Sequence, residues 1–205
     1  RDPEMSRGLG DVYKRQDERT FMLALSDGMG SGEYARKISD CTISLIESFY
    51  RAKMPSDTIL STVNQLLSFN REESFSCIDV ATVDLDTGYT DLVKIGSPLS
   101  FIISDSKIRI LESQSLPLGI LDSVKPTVLR ESLEAGDTII LISDGITSAF
   151  SSSTDMCAFM ESVPCLNPQT FADALLKKAI ELCGGVAVDL SLIHISEPTR
   201  HLRIS

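Results

Sequence analysis

Histidine, tryptophan and long hydrophobic runs are scarce or absent in this sequence, and each shortage argues against a class of function. The 205 residues include no Trp and only two His, His194 and His201, both within the last twelve positions. The body of the chain therefore lacks the histidine for a Ser-His-Asp triad, a Cys-His dyad or a His-based zinc site. No run approaches the ~18 apolar residues that a membrane-spanning helix needs.

Positive charge is also scarce, and the cysteines form no recognisable motif. Lys and Arg number 19 against 29 Asp and Glu, which gives a formal net charge of -10. Nucleic acids and anionic membranes attract Lys and Arg, so neither is expected to be the main partner. The five Cys residues have no metal-like spacing, and none begins a Cys-x5-Arg phosphatase loop. They are predicted to be buried thiols in a reducing compartment.

The two ends of the chain differ from its middle. Residues 1–16 and 190–205 show neither a helical nor an alternating apolar pattern, and their strings GLGDVYKRQ and SLIHISEPTR resemble translated sequencing-adapter sequence. The natural portion is therefore predicted to be residues 17–189, a gene product truncated at both ends. An ordinary disordered tail at each end is the alternative.

The middle of the chain is patterned as helices first and strands afterwards. An apolar run ends at Ser26-Asp27-Gly28, as a buried strand ends at a turn. Apolar spacing predicts one helix from about residue 31 to residue 51 and a second after Pro55. From residue 77 the period changes to two, which predicts two hairpins and two further strands before a final helix over residues 168–183. The predicted buried stripe of the first helix consists of Tyr34, Ile38, Cys41, Leu45 and Phe49.

This order of elements predicts the fold class. A pair of helices, a series of hairpins and then one helix are typical of an α+β protein with mostly antiparallel sheets, and not of a βαβ repeat. No internal repeat or low-complexity linker interrupts residues 17–189, which are predicted to form one domain.

One short pattern occurs twice, each time after an apolar run. Two predicted strands end in Ser-Asp-Gly and deliver Asp27 and Asp144 to the edge of the core. If the strands are neighbours, the two carboxylates lie close together and repel each other unless a cation is present. Without a His or Cys cluster, Mg²⁺ or Mn²⁺ is the expected cation. Asp-Gly is also a common turn dipeptide, so the spacing alone leaves two simple turns as an alternative.

Longer strings around these residues resemble a known family. The string ALSDGMGSG over residues 24–32 is followed by VKIGSP, LPLGI and LEAGD before the second Ser-Asp-Gly. These motifs, in this order, are similar to those of the PP2C-type metal-dependent serine/threonine protein phosphatases, and most closely to the stage II sporulation protein E branch. The resemblance covers nearly all of residues 20–189.

The resemblance implies a fold, a reaction and a set of site residues. The fold would be a PP2C-like α-β-β-α sandwich of two mostly antiparallel sheets flanked by helices. Asp27 would bridge two divalent metals, Mn²⁺ or Mg²⁺, while the Gly28 carbonyl would bind the second and Asp144 the first. A water activated by both metals would hydrolyse phosphoserine or phosphothreonine on an anti-anti-sigma-type protein in sporulation or stress signalling.

The resemblance also bears on location and assembly. Such a domain would be cytoplasmic, and in the resembled proteins it follows a membrane-spanning region. The fragment itself is expected to contact neither membrane nor nucleic acid. The resemblance makes the first two helices a regulatory switch that affects metal occupancy, whereas their apolar stripes alone indicate core packing. A homodimer formed through these helices stays open.

Two elements of the family pattern are missing or displaced. Gly10-Asp11 imitates an early acidic strand of the family, but it lies in an adapter-like string, so Asp11 is interpreted as a coincidence. Asp189 would begin the family's closing Asp-Asp-Met-Thr motif and act as a metal ligand, at the point where foreign sequence takes over. We therefore expect this chain to bind the second metal poorly and to be weakly active or inactive. Activity with Mn²⁺ after restoration of the natural ends tests that expectation.

Two other functions stay open on sequence grounds. One is a non-catalytic phosphatase-like module that binds a partner or senses a ligand, inactive in this truncated form. Retained Asp27 and Asp144 argue against it, and the incomplete ends argue for it. The other is a phospho-receiver domain with Asp27 as acceptor, whose parallel α/β architecture fits poorly with a hairpin-rich middle.

Overall fold

Two antiparallel sheets lie face to face, and helices cover the outer face of each. The structure is a computed structural model that describes residues 10–16, 19–28, 33–52, 54, 56–68, 75–96, 99–105, 107–121, 125–164, 167–185 and 192–196. Its strands are β1 (Gly10–Gln16), β2 (Thr20–Gly28), β3 (Ser76–Asp84), β4 (Tyr89–Ile95), β5 (Ser100–Ser104), β6 (Lys107–Leu111), β7 (Thr127–Ser132), β8 (Thr138–Ile142) and β9 (Leu192–Ser196). Its helices are α1 (Glu33–Arg51), α2 (Ser56–Ser68), α3 (Asp144–Ala149), α4 (Ser153–Ser162) and α5 (Pro168–Leu182).

The strand order separates the chain's two Ser-Asp-Gly strands into different sheets. The first sheet runs β1-β2-β3-β4-β7 and the second β6-β5-β8-β9. All the paired strands are antiparallel. The chain moves to the second sheet at β5, returns to the first at β7, and crosses again to β8.

Three apolar layers result from the alternation of side chains along the strands. In β2, Met22 and Ala24 pack with α1 and α2, whereas Leu23 and Leu25 face the other way, into the space between the sheets. On the second sheet, residues of β5 and β8 that point outward pack against α3, α4 and α5. The α-β-β-α sandwich expected from the sequence is confirmed, and its antiparallel sheets rule out the receiver-domain interpretation. No helix within the described ranges combines the length and apolar character needed to cross a bilayer.

The predicted buried stripe of α1 is wrong by part of a turn. Tyr34 is 38% exposed and Cys41 is also exposed, although the apolar spacing of the sequence assigns both to the stripe. The side that faces the sheet instead carries small and β-branched residues, because the helix lies close to the sheet and large side chains would hold it away. The buried residues are Ala35, Ile38, Ser39, Thr42, Ile43 and Ile46.

Four elements have no counterpart in the sequence prediction. The short helices α3 and α4 follow β8, and the strands β1 and β9 lie in the terminal segments that the sequence marks as adapter-like. β1 pairs with β2, with Gly10 opposite Asp27 and Asp11 opposite Ser26. β9 pairs with β8. The foreign origin of these two segments stays a prediction.

Candidate active site

Asp27 is held at the end of a central strand of the first sheet. It is the next-to-last residue of β2, which is paired on one side with β1 and on the other with β3. The alternation along β2 places Asp27 on the same face as Leu23 and Leu25, toward the second sheet. Its side chain is nearly buried, with 8% of its surface exposed. The strand therefore delivers a carboxylate to the rim of the inter-sheet core.

Gly28 is required by the approach of α1, and not by a turn. The sequence predicts a sharp backbone turn at this glycine, but Gly28 is the last residue of β2 and its φ angle is not positive. A Cβ atom at this position would lie 2.2 Å from the carbonyl oxygen of Ala35 in α1. The Gly28 N–H donates a 2.6 Å hydrogen bond to Ser39 Oγ, also in α1. The missing side chain allows the helix to lie directly against the end of the strand.

Asp144 comes from the second sheet. It is the first residue of α3 and follows β8 after the single residue Ser143, which is fully buried. Asp144 itself is exposed. A negative side chain in the first turn is favourable because the free N–H groups of the helix point toward it. The second Ser-Asp-Gly is thus a junction between strand and helix.

Cys77 connects the two carboxylates electrostatically. It lies opposite Asp27 in the β2–β3 pairing and is only partly exposed. Burial is the main cause that raises the pKa of the Cys77 thiol to about 12, and the negative charges of Asp27 and Asp144 raise it further. Both carboxylates are therefore within electrostatic reach of one thiol, at the same end of the sandwich.

The sequence predicts that Asp27 and Asp144 lie close together if the strands that carry them are neighbours in one sheet. In the structure β2 and β8 are not hydrogen-bonded neighbours, because they belong to opposite sheets. The two strands face each other across the inter-sheet core, where Leu23 and Leu25 share one cluster with Ile139 and Leu141. The carboxylates therefore converge through packing of the two sheets, and not through strand pairing.

A buried polar group lies beside this site, and sequence reasoning missed it. Lys94 Nζ donates hydrogen bonds of 2.6 Å to Asp79 Oδ2 and 2.6 Å to Ser100 Oγ, and Ser100 Oγ in turn donates to Asp79 Oδ2. None of the three side chains is more than 1% exposed. Burial raises the pKa of the Asp79 carboxyl, and the charge of Lys94 opposes that rise. The available signal was a charged residue at an inward position of each of two alternating strands.

The oxygen donors at this end of the sandwich suit a hard divalent cation, but they do not form a complete set of ligands among the described residues. Carboxylate and carbonyl oxygens are the donors that Mg²⁺ and Mn²⁺ prefer, and Asp27, Gly28 and Asp144 supply only oxygen. No group of three His, Cys, Asp or Glu residues is arranged to hold a metal within the part of the chain that the structure describes. The further predicted ligand, Asp189, lies outside the described residues.

Sequence comparison places these features in a family. The family model for stage II sporulation protein E (SpoIIE) matches residues 17–196. The chain belongs to the stage II sporulation protein E family. The curated SpoIIE of Bacillus subtilis (strain 168) is 30% identical over 187 residues, which cover 88% of this chain and 23% of that protein. The chain thus spans about a quarter of that SpoIIE relative.

Other relatives agree with the SpoIIE assignment and with the fold. The solved PP2C phosphatase domain of Bacillus subtilis SpoIIE, with a fragment of its regulatory domain, matches with a TM-score of 0.84 at 27% identity. That match covers 94% of this chain and 58% of the solved one. The phosphoserine phosphatase RsbU of Bacillus subtilis (strain 168) is 25% identical over 181 residues, 82% of this chain and 54% of RsbU. This SpoIIE-family chain therefore has the PP2C fold of metal-dependent serine/threonine phosphatases.

Proposed function

We propose that this domain hydrolyses phosphoserine or phosphothreonine on a regulatory protein, with divalent metal ions as cofactors. The observation that carries the proposal is that Asp27 and Asp144 lie at the same end of the sandwich, near Cys77, in a chain of the SpoIIE family. The acidic strand end and the acidic helix start come from different sheets, yet both lie within electrostatic reach of Cys77. Two nearby carboxylates favour a bound cation, because without one they repel each other.

The residues of the chain have distinct roles in this proposal. Asp27 would be a ligand of the metal ions, in a position fixed by a strand that is paired on both sides. Gly28 would offer its carbonyl oxygen to the second ion, and Asp144 would hold the first from the start of α3. Divalent cations held there supply positive charge that faces the phosphoryl oxygens, and they lower the pKa of water.

The proposed substrate is a phosphorylated protein of the anti-anti-sigma type, in sporulation or stress signalling. Support comes from the SpoIIE family and from RsbU, which is named a phosphoserine phosphatase. Mn²⁺ or Mg²⁺ is the proposed cofactor, and the cytoplasm is the proposed location. A homodimer through α1 and α2 stays a prediction. The acidic composition disfavours nucleic acid as a partner, because the phosphate backbone attracts basic proteins.

Substitution of the two acids, in a chain with its natural ends restored, tests the proposal. Asp27→Asn and Asp144→Asn each keep the size of the side chain and remove its charge. We expect each to lower the rate of phosphate release from a phosphoserine protein with Mn²⁺ by more than about 100-fold, because even groups that only support metal ligands cost 10–100-fold. Asp105→Asn is the matched control. Asp105 is an exposed residue between β5 and β6 with φ of 47°, a conformation that Asn adopts readily.

The outcomes separate catalysis from binding alone. Loss of turnover in both site variants, with full turnover in Asp105→Asn, supports the phosphatase. Unchanged turnover in Asp144→Asn contradicts the assigned site. A chain with its natural ends restored that folds and binds the phosphoprotein but releases no phosphate contradicts the proposed activity and favours the non-catalytic binding module. The specific support for that module is the incomplete ligand set of the described residues.

A further inference from the structure

The polar group of Lys94, Asp79 and Ser100 joins the two sheets through their shared core. Lys94 lies in β4 and Asp79 in β3, both in the first sheet, whereas Ser100 begins β5 in the second. The lysine ammonium donates to both partners at 2.6 Å. The surrounding layer contains apolar side chains such as Leu25, Leu92, Ile102 and Leu141. Hydrogen bonds have a preferred direction and length, which contacts between aliphatic side chains lack.

This cross-sheet group lies next to the carboxylate site on both sheets. Asp79 pairs with Leu25 in the β2–β3 register, and Leu25 is two residues before Asp27. Ser100 pairs with Leu141 in the β5–β8 register, and Leu141 is three residues before Asp144. Each end of the hydrogen-bonded group therefore touches the strand that carries one of the two carboxylates, close to the point where that strand ends.

Stability alone gives a poor reason for this arrangement. A buried ion pair must recover the cost of removing two charges from water, and apolar replacements of similar volume are often as stable or more stable. Here the hydrogen bonds offset this desolvation cost only in part, because Asp79 Oδ1 is buried with no hydrogen-bond partner among the described residues. Ile or Leu at these positions would extend the apolar layer without that cost. What the polar group adds is a fixed separation and a fixed register between the sheets.

We propose that Lys94, Asp79 and Ser100 are positioning residues that set the distance between Asp27 and Asp144 by fixing one sheet against the other. This inference rests on the proposed function, since the separation matters only if both carboxylates act on the same ions. Asp27 and Asp144 have no strand pairing in common, so their separation depends on how the two sheets pack and not on strand pairing. A metal site tolerates little error in that distance, because ligand geometry must be held within about 0.5 Å.

Two variants remove the group without leaving a buried charge unpaired. Ser100→Ala removes the contact with the second sheet. The double variant Lys94→Met with Asp79→Leu removes both charges and fills the space with apolar atoms. The matched control is Ser104→Ala, at the opposite end of the same strand, where Ser104 Oγ donates to Asp137 Oδ1. This control removes another serine–carboxylate hydrogen bond, but one that lies away from Asp27 and Asp144.

The measurements are made on the full chain, first without metal. Hydrogen–deuterium exchange reports the amides at the ends of β2 and β8, thermal unfolding reports stability, and calorimetric titration with Mn²⁺ reports affinity. We expect both variants to exchange faster at residues 26–28 and 142–145 and to bind Mn²⁺ at least about 10-fold more weakly. The double variant is expected to unfold at the same or a higher temperature, a combination that a purely stabilising role would not produce.

Opposite results overturn the inference. Exchange that is unchanged at both strand ends, or raised equally in Ser104→Ala, shows that the group does not position the site. Loss of Mn²⁺ affinity only in proportion to a lower unfolding temperature shows a merely structural role. If the unsubstituted chain binds no Mn²⁺, the proposed function fails, whereas the exchange comparison still decides whether the group fixes the sheets.

Discussion

Gly28 shows how the absence of one side chain controls the geometry of the candidate site. The strand that carries Asp27 ends where α1 comes closest, and the backbone N–H of Gly28 donates to Ser39 in that helix. From the sequence, the residue pair Asp27-Gly28 could be marked as a candidate, because the same pattern returns at residues 144–145 and the strings around it resemble a known family. The reason for the glycine could not, because it depends on a helix backbone that approaches from outside the motif.

Gly28→Ala is expected to destabilise the domain by about 1–3 kcal/mol, since an added methyl group must displace the backbone of α1. The added Cβ atom would lie 2.2 Å from the carbonyl oxygen of Ala35. Urea denaturation measures the change in the free energy of unfolding. In a Ser39→Ala background the loss of stability should persist, because the atom nearest to the added Cβ belongs to the backbone of Ala35 and not to the side chain of Ser39. Equal unfolding midpoints for Gly28→Ala and the unsubstituted chain would contradict this contact.

Hairpins and helices differ in how well their sequences predict them. The β3–β4 and β5–β6 hairpins follow from a period of two and from turn residues, which are local features. The buried face of α1 does not, because the apolar side chains of Tyr34 and Cys41 suggest one stripe, whereas Ala35 and the polar Ser39 are among the residues buried against the sheet. Close packing selects residues by size as well as by polarity.

The β3–β4 turn should make stability depend on pH through Asp84. Asp84 Oδ1 accepts 2.9 Å hydrogen bonds from the N–H groups of Asp86 and Thr87. The bond from the Thr87 N–H is the main cause that lowers the pKa of the Asp84 carboxyl below its usual value. A lowered folded-state pKa means that the ionised carboxylate stabilises the fold above the unfolded pKa of about 3.9, and that this contribution is lost as pH falls through the folded-state value.

Asp84→Asn therefore should lower the thermal unfolding temperature at pH 7 and have progressively less effect below about pH 4. Thermal scans from pH 7 to pH 2.5 measure the difference. Asp105→Asn, in the β5–β6 turn, is the control. It measures how far the unfolding temperature changes when another hairpin turn loses one negative charge. A difference for Asp84→Asn that stays constant over the whole range would show that its ionisation contributes nothing to the fold.

At the level of the whole molecule, packing in the layer between the two sheets determines how Asp27 lies relative to Asp144. The order of helices and hairpins predicted mostly antiparallel sheets, the family resemblance implied that there are two, and the repeated Ser-Asp-Gly predicted two acids at strand ends. How those ends meet was not predictable, because β2 and β8 belong to different sheets and their contact arises from packing between distant segments. The Lys94–Asp79 pair is different, because the two residues lie opposite each other in the β3–β4 hairpin, and only the hydrogen bond of Lys94 to Ser100 depends on packing between the sheets.

Leu92→Ala tests how much this layer stabilises the domain. Leu92 is fully buried between the sheets, and its truncation is expected to lower the free energy of unfolding by about 2–5 kcal/mol, through lost burial and a residual cavity. Leu116→Ala is the matched control, because the same atoms are removed from a residue that is 50% exposed. It should cost less than about 0.5 kcal/mol in urea denaturation. Similar losses for both variants would mean that the inter-sheet layer is loosely packed.

The strands that lead to Asp27 and Asp144 belong to separate sheets, and this affects the stage of folding at which the site forms. Contacts between residues far apart in the chain form slowly, because the entropy of closing a long loop must be overcome first. A chain that has folded only its first sheet presents Asp27 without its counterpart, and no local rearrangement can supply Asp144. A chain with only its first sheet folded is therefore expected to have no hydrolytic activity. The ability to act on a phosphoprotein would appear in a single step, when the two sheets pack against each other.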